Sequence, residues 1–324
     1  MQALAIGPIK RLIGVNVDGW LVAGAPAAHY REFVSDEDLA RLVSWRFNHV
    51  RLPLEAKLLH EDDGWKVMDE AVARCARHGL GVVVALRLAD QAAPYAAAEA
   101  WRPPAERWRQ IAARYASSGV LFDLLDAPQP PAEIDEEVLS ALGAPRLSAA
   151  AARRATVAGA TEGRAWSALA LRLTQAIREV AEEATLVVES VGGRPEAFAQ
   201  LRPTRDARTL YAFHTFVPEA LTRRGAGTYP GEVGGERWDR ERMRRMLEPA
   251  LTFAQAYDGT LYAAAFGITA RAQRQSRLTW TRSFLSLCRG AGIGWAYWTL
   301  RHPEFGLVVE GAVDYDLLGV LQSE

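Results

Sequence analysis

Short apolar runs recur along the chain at 12–17, 48–53, 81–87, 120–125, 185–189, 209–214, 260–266 and 293–298. Each has strand length and is apolar almost throughout, which suits strands covered on both faces rather than one-sided antiparallel strands. Helical spacing fills most of the intervals, at 65–78, 104–116, 164–184, 238–256 and 273–288. Ser35 followed by Asp38 forms a capping-box signature ahead of Leu39, Leu42 and Val43, and Gly79 closes the helix before the third run. Strands alternating with helices require a parallel sheet with crossover connections. A doubly wound sheet and a closed barrel both satisfy that pattern. Eight runs, with no glycine-rich phosphate loop after the first, favour closure. The expectation is therefore a single (β/α)8 barrel spanning residues 1–324. Residues 126–163, rich in Ala, Pro and Arg, break the rhythm and form a long excursion after strand four.

Composition narrows the function classes. Hydrophobic residues make up 49% of the chain and charged residues 24%, enough for a sizeable core. The formal net charge of -1 supplies no global field toward nucleic acid or an anionic membrane. No apolar run reaches the ~18 residues of a membrane span. Cys75 and Cys288 both lie in helical patterns and are expected to be buried thiols rather than a disulfide. No two of the six histidines have the close helical spacing of a metal site, so neither metal nor cofactor is expected. The first residues carry no secretion-signal pattern, which makes the cytoplasm the default location and the exterior the alternative for a trimmed chain.

In such a barrel, function sits at the carboxyl ends of the strands. Those ends offer Asn16 and Asp18, Arg51, Arg87 and Asp90, Asp123 and Asp126, Glu189, His214, Ala265, and Trp298 with Arg301. For each polar group the bland alternative is a buried hydrogen bond at the rim. Four stretches carry a resemblance: Gly14-Val15-Asn16, His49-Val50-Arg51-Leu52-Pro53, Tyr211-Ala212-Phe213-His214 and Gly294-Trp295-Ala296-Tyr297-Trp298. In order and spacing they resemble glycoside hydrolase family 5, the cellulase and mannanase family. Asp126-Ala127-Pro128 falls where that family has Asn-Glu-Pro, and Ala265-Phe266-Gly267 where it has Glu-Phe-Gly. The resemblance implies that Arg51 supports a nucleophile, that His214 is the strand-six histidine, and that Trp298 is an aromatic platform under a sugar. It also places the acid/base glutamate at Ala127 and the nucleophile at Ala265. Further departures are Asp126 for asparagine, Arg87 near the strand-three histidine, and Phe216 for tyrosine.

A methyl group neither attacks an anomeric carbon nor shuttles a proton, and a retaining glycosidase needs two carboxyl groups about 5 Å apart. The expectation is a protein that binds an oligosaccharide or polysaccharide in the barrel cleft without cleaving it. Arg51, Arg87, Asp126, His214, Trp298, Trp20 and Arg301 are the candidate binding residues. Arg87 beside Arg51, with Arg271 and Arg301, makes an anionic glycan one of the ligands this pattern suits. Trp20 and Trp238 could extend the platform, whereas Trp45, Trp108, Trp166 and Trp280 belong to helical patterns and the core. One alternative is a glycosidase using relocated carboxylates, Asp126 and Glu189 with Asp18, at the roughly 6.5–9.5 Å of an inverting pair. Another is a scaffold or regulatory partner docking a protein through 126–163, where Arg146, Arg153, Arg154 and Arg164 are expected to be exposed.

Overall fold

The computed structural model describes residues 11–145 and 159–323. Eight parallel strands close into a barrel: β1 (Ile13–Asn16), β2 (His49–Glu55), β3 (Gly81–Arg87), β4 (Leu121–Asp123), β5 (Leu186–Glu189), β6 (Thr209–Thr215), β7 (Thr260–Phe266) and β8 (Gly294–Tyr297). Each strand pairs with its neighbours in sequence, and β8 returns to β1. The doubly wound alternative is excluded by that closure.

The punctuation read from the sequence places the helices. Ser35 caps the helix Asp36–Ser44 through a reciprocal bond with Asp38, and Gly79 takes a positive φ just beyond Gly64–Arg77. Further helices run over Arg102–Tyr115, Ala160–Arg178, Arg240–Tyr257 and Arg274–Gly290. Between β5 and β6 only two 3-10 turns, Val191–Gly193 and Pro195–Ala199, make the crossover. Within the excursion after β4, Glu136–Leu142 is helical. Arg146, Arg153 and Arg154 lie outside the described residues. Arg164 does not match its expected exposure: it is buried against Glu136.

Two apolar layers follow from strand alternation. Leu12, Val83, Leu121, Val187, Ala212, Tyr262, Ala264 and Ala296 form the cluster inside the barrel, while the larger cluster joins the outer strand faces to the helices. Cys75 and Cys288 are buried and free. Trp108, Trp166 and Trp280 are fully buried, as their helical pattern required.

Strand β7 carries one more residue than its neighbours near the mouth: Phe213 and His214 of β6 face Ala263 and Ala265, and Trp295 and Tyr297 of β8 face Ala263 and Phe266. This bulge puts Ala265 opposite His214 while Phe266 packs outward on Phe284.

Gly14 explains one motif physically. A Cβ there would lie 2.3 Å from the His49 carbonyl oxygen and 2.5 Å from its imidazole. Gly14→Ala should therefore push β1 from β2 and lower stability by about 1–3 kcal/mol or more, measured as a reduced denaturant midpoint.

Candidate functional site

The barrel mouth is built around Arg51, a β2 residue with no solvent exposure. Its Nη2 donates to Asp123 Oδ2 at 2.7 Å, Asp126 Oδ1 at 2.7 Å and Glu189 Oε1 at 2.6 Å. Its Nε also donates to Asp123 Oδ2, and its Nη1 to Asn16 Oδ1. Asn16 is itself fixed from β1 to the carbonyl of Ala264 on β7. Register does the positioning, since Asn16 pairs with Arg51 across β1 and β2.

The second cation is Arg87 at the end of β3. It holds Asp126 Oδ2 through Nε and Asp18 Oδ1 through Nη1. Its guanidinium lies over the indole of Trp298, 5.7 Å from the ring centroid. Trp298 is half-buried, its backbone N–H donating to the carbonyl of Phe266, and the Trp298–Thr299 peptide is cis.

His214 completes the cluster, with Nε2 3.0 Å from Glu189 Oε1. Glu189 Oε2 accepts the backbone N–H of Ala127, which sits at a positive φ of 47°. Gly193 backs the imidazole so closely that a Cβ there would come within 2.8 Å of it.

Burial works against the charge of Asp126, but Arg51, Arg87 and His214 outweigh it and hold its carboxyl far below the usual range. Burial likewise opposes ionisation of Glu189, yet His214 and Arg51 keep its carboxyl below the ordinary value. An ionised Glu189 only accepts, so Nε2 of His214 carries the proton between them. Asp123 goes the other way: full burial and the neighbouring Glu189 raise its carboxyl well above the usual range. Its Oδ1 is buried without a hydrogen-bond partner.

The structure brings Arg51, Arg87, Asp18, Asp126, Glu189, His214 and Trp298 together, with Asp123 beneath them. Ala127 lies partly exposed at the mouth and Ala265 is buried in β7. Several expectations are corrected. Trp20 is 1% exposed, with its Nε1–H bonded to the Tyr30 carbonyl and Arg74 over its ring, so it packs and offers no platform. Trp238 is likewise buried, under Arg242. Arg301 does not converge on the cluster but binds Asp38 in the capping box, and Arg271 pairs with Glu304. A surplus of free guanidinium groups is absent from the mouth, because the partners of each arginine lie on strands the linear order does not place beside it.

Oxygens of Asp126 and Glu189 and a nitrogen of His214 lie within 4.8 Å of one another, a spacing that could hold a metal ion. The carboxylate oxygens nearest the imidazole are already bound by Arg51, which fills the cation's role there. The same closeness falls short of the roughly 6.5–9.5 Å expected of an inverting pair. Sequence reasoning did not find Gly193 behind His214; the Gly192-Gly193 dipeptide was its only signal. Nor did it find the Arg301–Asp38 pair, which carries no local signal.

A closed (β/α)8 barrel with a charged mouth and an aromatic ring at the end of β8 is a scaffold shared by many chemistries, and likeness to known proteins narrows them. Residues 14–303 match the family model described as cellulase, glycosyl hydrolase family 5, and the chain belongs to that family. It is 22% identical to endoglucanase C of Acetivibrio thermocellus over 95% of this chain and 97% of that protein. It is 24% identical to cellodextrinase A of Ruminococcus flavefaciens over 82% of this chain and 79% of that one. Among solved structures it resembles a hyperthermophilic endo-beta-1,4-glucanase in complex with substrate, with a TM-score of 0.76, 16% identity and 97% of each chain covered. The cellulose synthase subunit Z of Clostridioides difficile superposes with a TM-score of 0.74 at 18% identity, covering 96% of this chain and 99% of that one.

Replacing Arg51 should strand three buried carboxyl groups. Arg51→Gln is expected to cost about 3–5 kcal/mol, read by urea denaturation at neutral pH. Arg51 favours the ionised form of all three carboxyl groups. The gap between wild type and R51Q should therefore narrow as pH falls, first through the raised range of Asp123. It should narrow further below the ordinary values of 4.5 and 3.8, toward the depressed ranges of Glu189 and Asp126. A gap independent of pH would show that Arg51 acts by packing alone.

Proposed function

We propose that this chain holds a neutral glucan-type oligosaccharide in the barrel mouth and does not hydrolyse it. One observation carries the reading. The positions where the family resemblance expects the two carboxylates are Ala127 and Ala265, while the carboxylates that are present are bound into the arginine network. Double displacement requires one carboxylate free to attack and another free to deliver a proton. Neither is supplied.

The choice of a neutral ligand rests on charge. The carboxylates of Asp18, Asp126 and Glu189 outnumber the guanidinium groups of Arg51 and Arg87, while Asp123 favours its protonated form. An anionic glycan would find each arginine already engaged and an acidic surplus around it. The names of the relatives, endoglucanase and cellodextrinase, support a glucan as the ligand class.

A second reading, a glycosidase with relocated carboxylates, draws on the approach of Asp126 and Glu189 to within 4.8 Å. That spacing is nearer to a retaining pair than to an inverting one. Against it, a general acid must be protonated at the working pH, and both groups are held ionised. Asp123 favours the protonated form but has no exposure through which to meet a sugar. The scaffold reading has no comparable support, since Arg164 is paired internally.

Calorimetric titration with neutral cello-oligosaccharides should give saturable heat that Trp298→Ala abolishes, with weaker binding of uronic-acid oligomers. Silence across that panel would remove the reading. Product analysis on soluble glucans should show no turnover; turnover lost in both Asp126→Asn and Glu189→Gln would establish the relocated-carboxylate enzyme instead.

A further inference from the structure

Arg87 takes an unusual path. Its strand, β3, is separated from β8 by β2 and β1 in the closed barrel. A side chain from the end of β3 can meet a ring at the end of β8 only by crossing the mouth. Arg87 does this, tethered at Asp126 beyond β4 and at Asp18 beyond β1, with its guanidinium over Trp298. Arg87 thus covers one face of the indole, and a ligand stacking on that face would meet the guanidinium.

We propose that Arg87 is a built-in competitor for the ligand position on Trp298, so that a glycan occupying the cleft must first displace the guanidinium from the ring. The proposal rests on the glycan reading above. Its chemistry is ordinary: a planar cation stacks on an aromatic face much as the C–H face of a sugar does, and the two cannot share one face. Two features make the displacement feasible. The side chains of Arg87 and Asp18 keep 30% and 26% of their exposure, so water can take over their interaction. Asp126, in contrast, keeps Arg51 as a partner when Arg87 leaves. The fixed floor is Arg51 with its three carboxylates; the movable layer is Arg87.

This makes Arg87 a determinant of affinity and selectivity. A ligand gains from Trp298 only what remains after the cation–ring contact and the bridges from Arg87 to Asp18 and Asp126 are given up. Ligands that cannot stack do not displace the guanidinium.

The test compares wild type, Arg87→Ala, Asp18→Asn, Trp298→Ala and the double variant Arg87→Ala/Trp298→Ala, each titrated with cellotetraose. Arg87→Ala should bind on the order of tenfold more tightly than wild type, the gain expected when about 1.4 kcal/mol of competition is removed. Asp18→Asn, which leaves the Arg51 cluster untouched, should recover part of that gain. The double variant should lose it entirely, which a general loosening of the fold would not produce. Salt supplies a second signature. Added sodium chloride weakens the half-exposed bridge, so wild-type affinity for this neutral ligand should rise with ionic strength while that of Arg87→Ala stays flat.

Acrylamide quenching of tryptophan emission reads the cover without any glycan. It should increase in Arg87→Ala, and the increase should vanish in the double variant. Wild type binding cellotetraose as tightly as Arg87→Ala would overturn the proposal and leave the glycan reading standing. No heat from any of the five proteins would overturn both.

Discussion

The guanidinium of Arg51, buried with three carboxyl groups on one nitrogen, is the constraint around which the mouth is organised. Nη2 has two hydrogens, so three oxygens cannot each have one to themselves. Asp123 draws additionally on Nε, and Glu189 on His214 and the Ala127 amide. Such a cluster is a poor source of net stability, since desolvating the charges cancels much of their attraction. Its effect is positional. It ties β2 to β1 through Asn16, to β4 through Asp123, and to β5 through Glu189.

The same cluster leaves an excess of negative charge, and the second arginine answers it. Arg87 takes the free oxygen of Asp126 and reaches on to Asp18. Two layers result, a buried one that water does not reach and a half-exposed one that it does. Electrostatic strength therefore separates by depth, because screening acts on the outer layer far more than on the inner one.

The barrel was legible because its strands are apolar on both faces and its helices are punctuated by Ser35, Asp38 and Gly79. Those are local properties, and local order survives folding. The composition of the site was also legible, since strand ends in a barrel of this kind must converge. Pairing was not. Arg51 and Glu189 lie far apart in sequence and meet only through the curvature of the sheet, so a count of arginines suggested a basic cleft where the folded site is acidic. Trp20 failed for a related reason: its ring could be judged platform or core only once Tyr30 and Arg74 were seen against it. Ala265 gained its place opposite His214 from a bulge in β7 that no residue type announces.

The departures from the family pattern are also coupled. On the reading proposed here, an alanine at 265 removes an anion that the resemblance assigns to Arg51, and a fully buried arginine without anions is among the costliest defects a fold can carry. Asp126, where the family has asparagine, supplies a negative charge at 2.7 Å, and Glu189 supplies another at 2.6 Å. Alanine at 265 and aspartate at 126 thus compensate each other in charge. On the same resemblance, a glutamate introduced at 265 would add a further carboxylate near a cation already bound to three carboxyl groups. Like charges at that spacing cannot all ionise, so the added group would be driven toward its protonated form, which is unable to act as a nucleophile. On that reading, an ionised nucleophile at 265 would require Asp126 to become neutral as well. On that reading the mouth is one coupled charge network, in which no carboxylate position changes independently of the others.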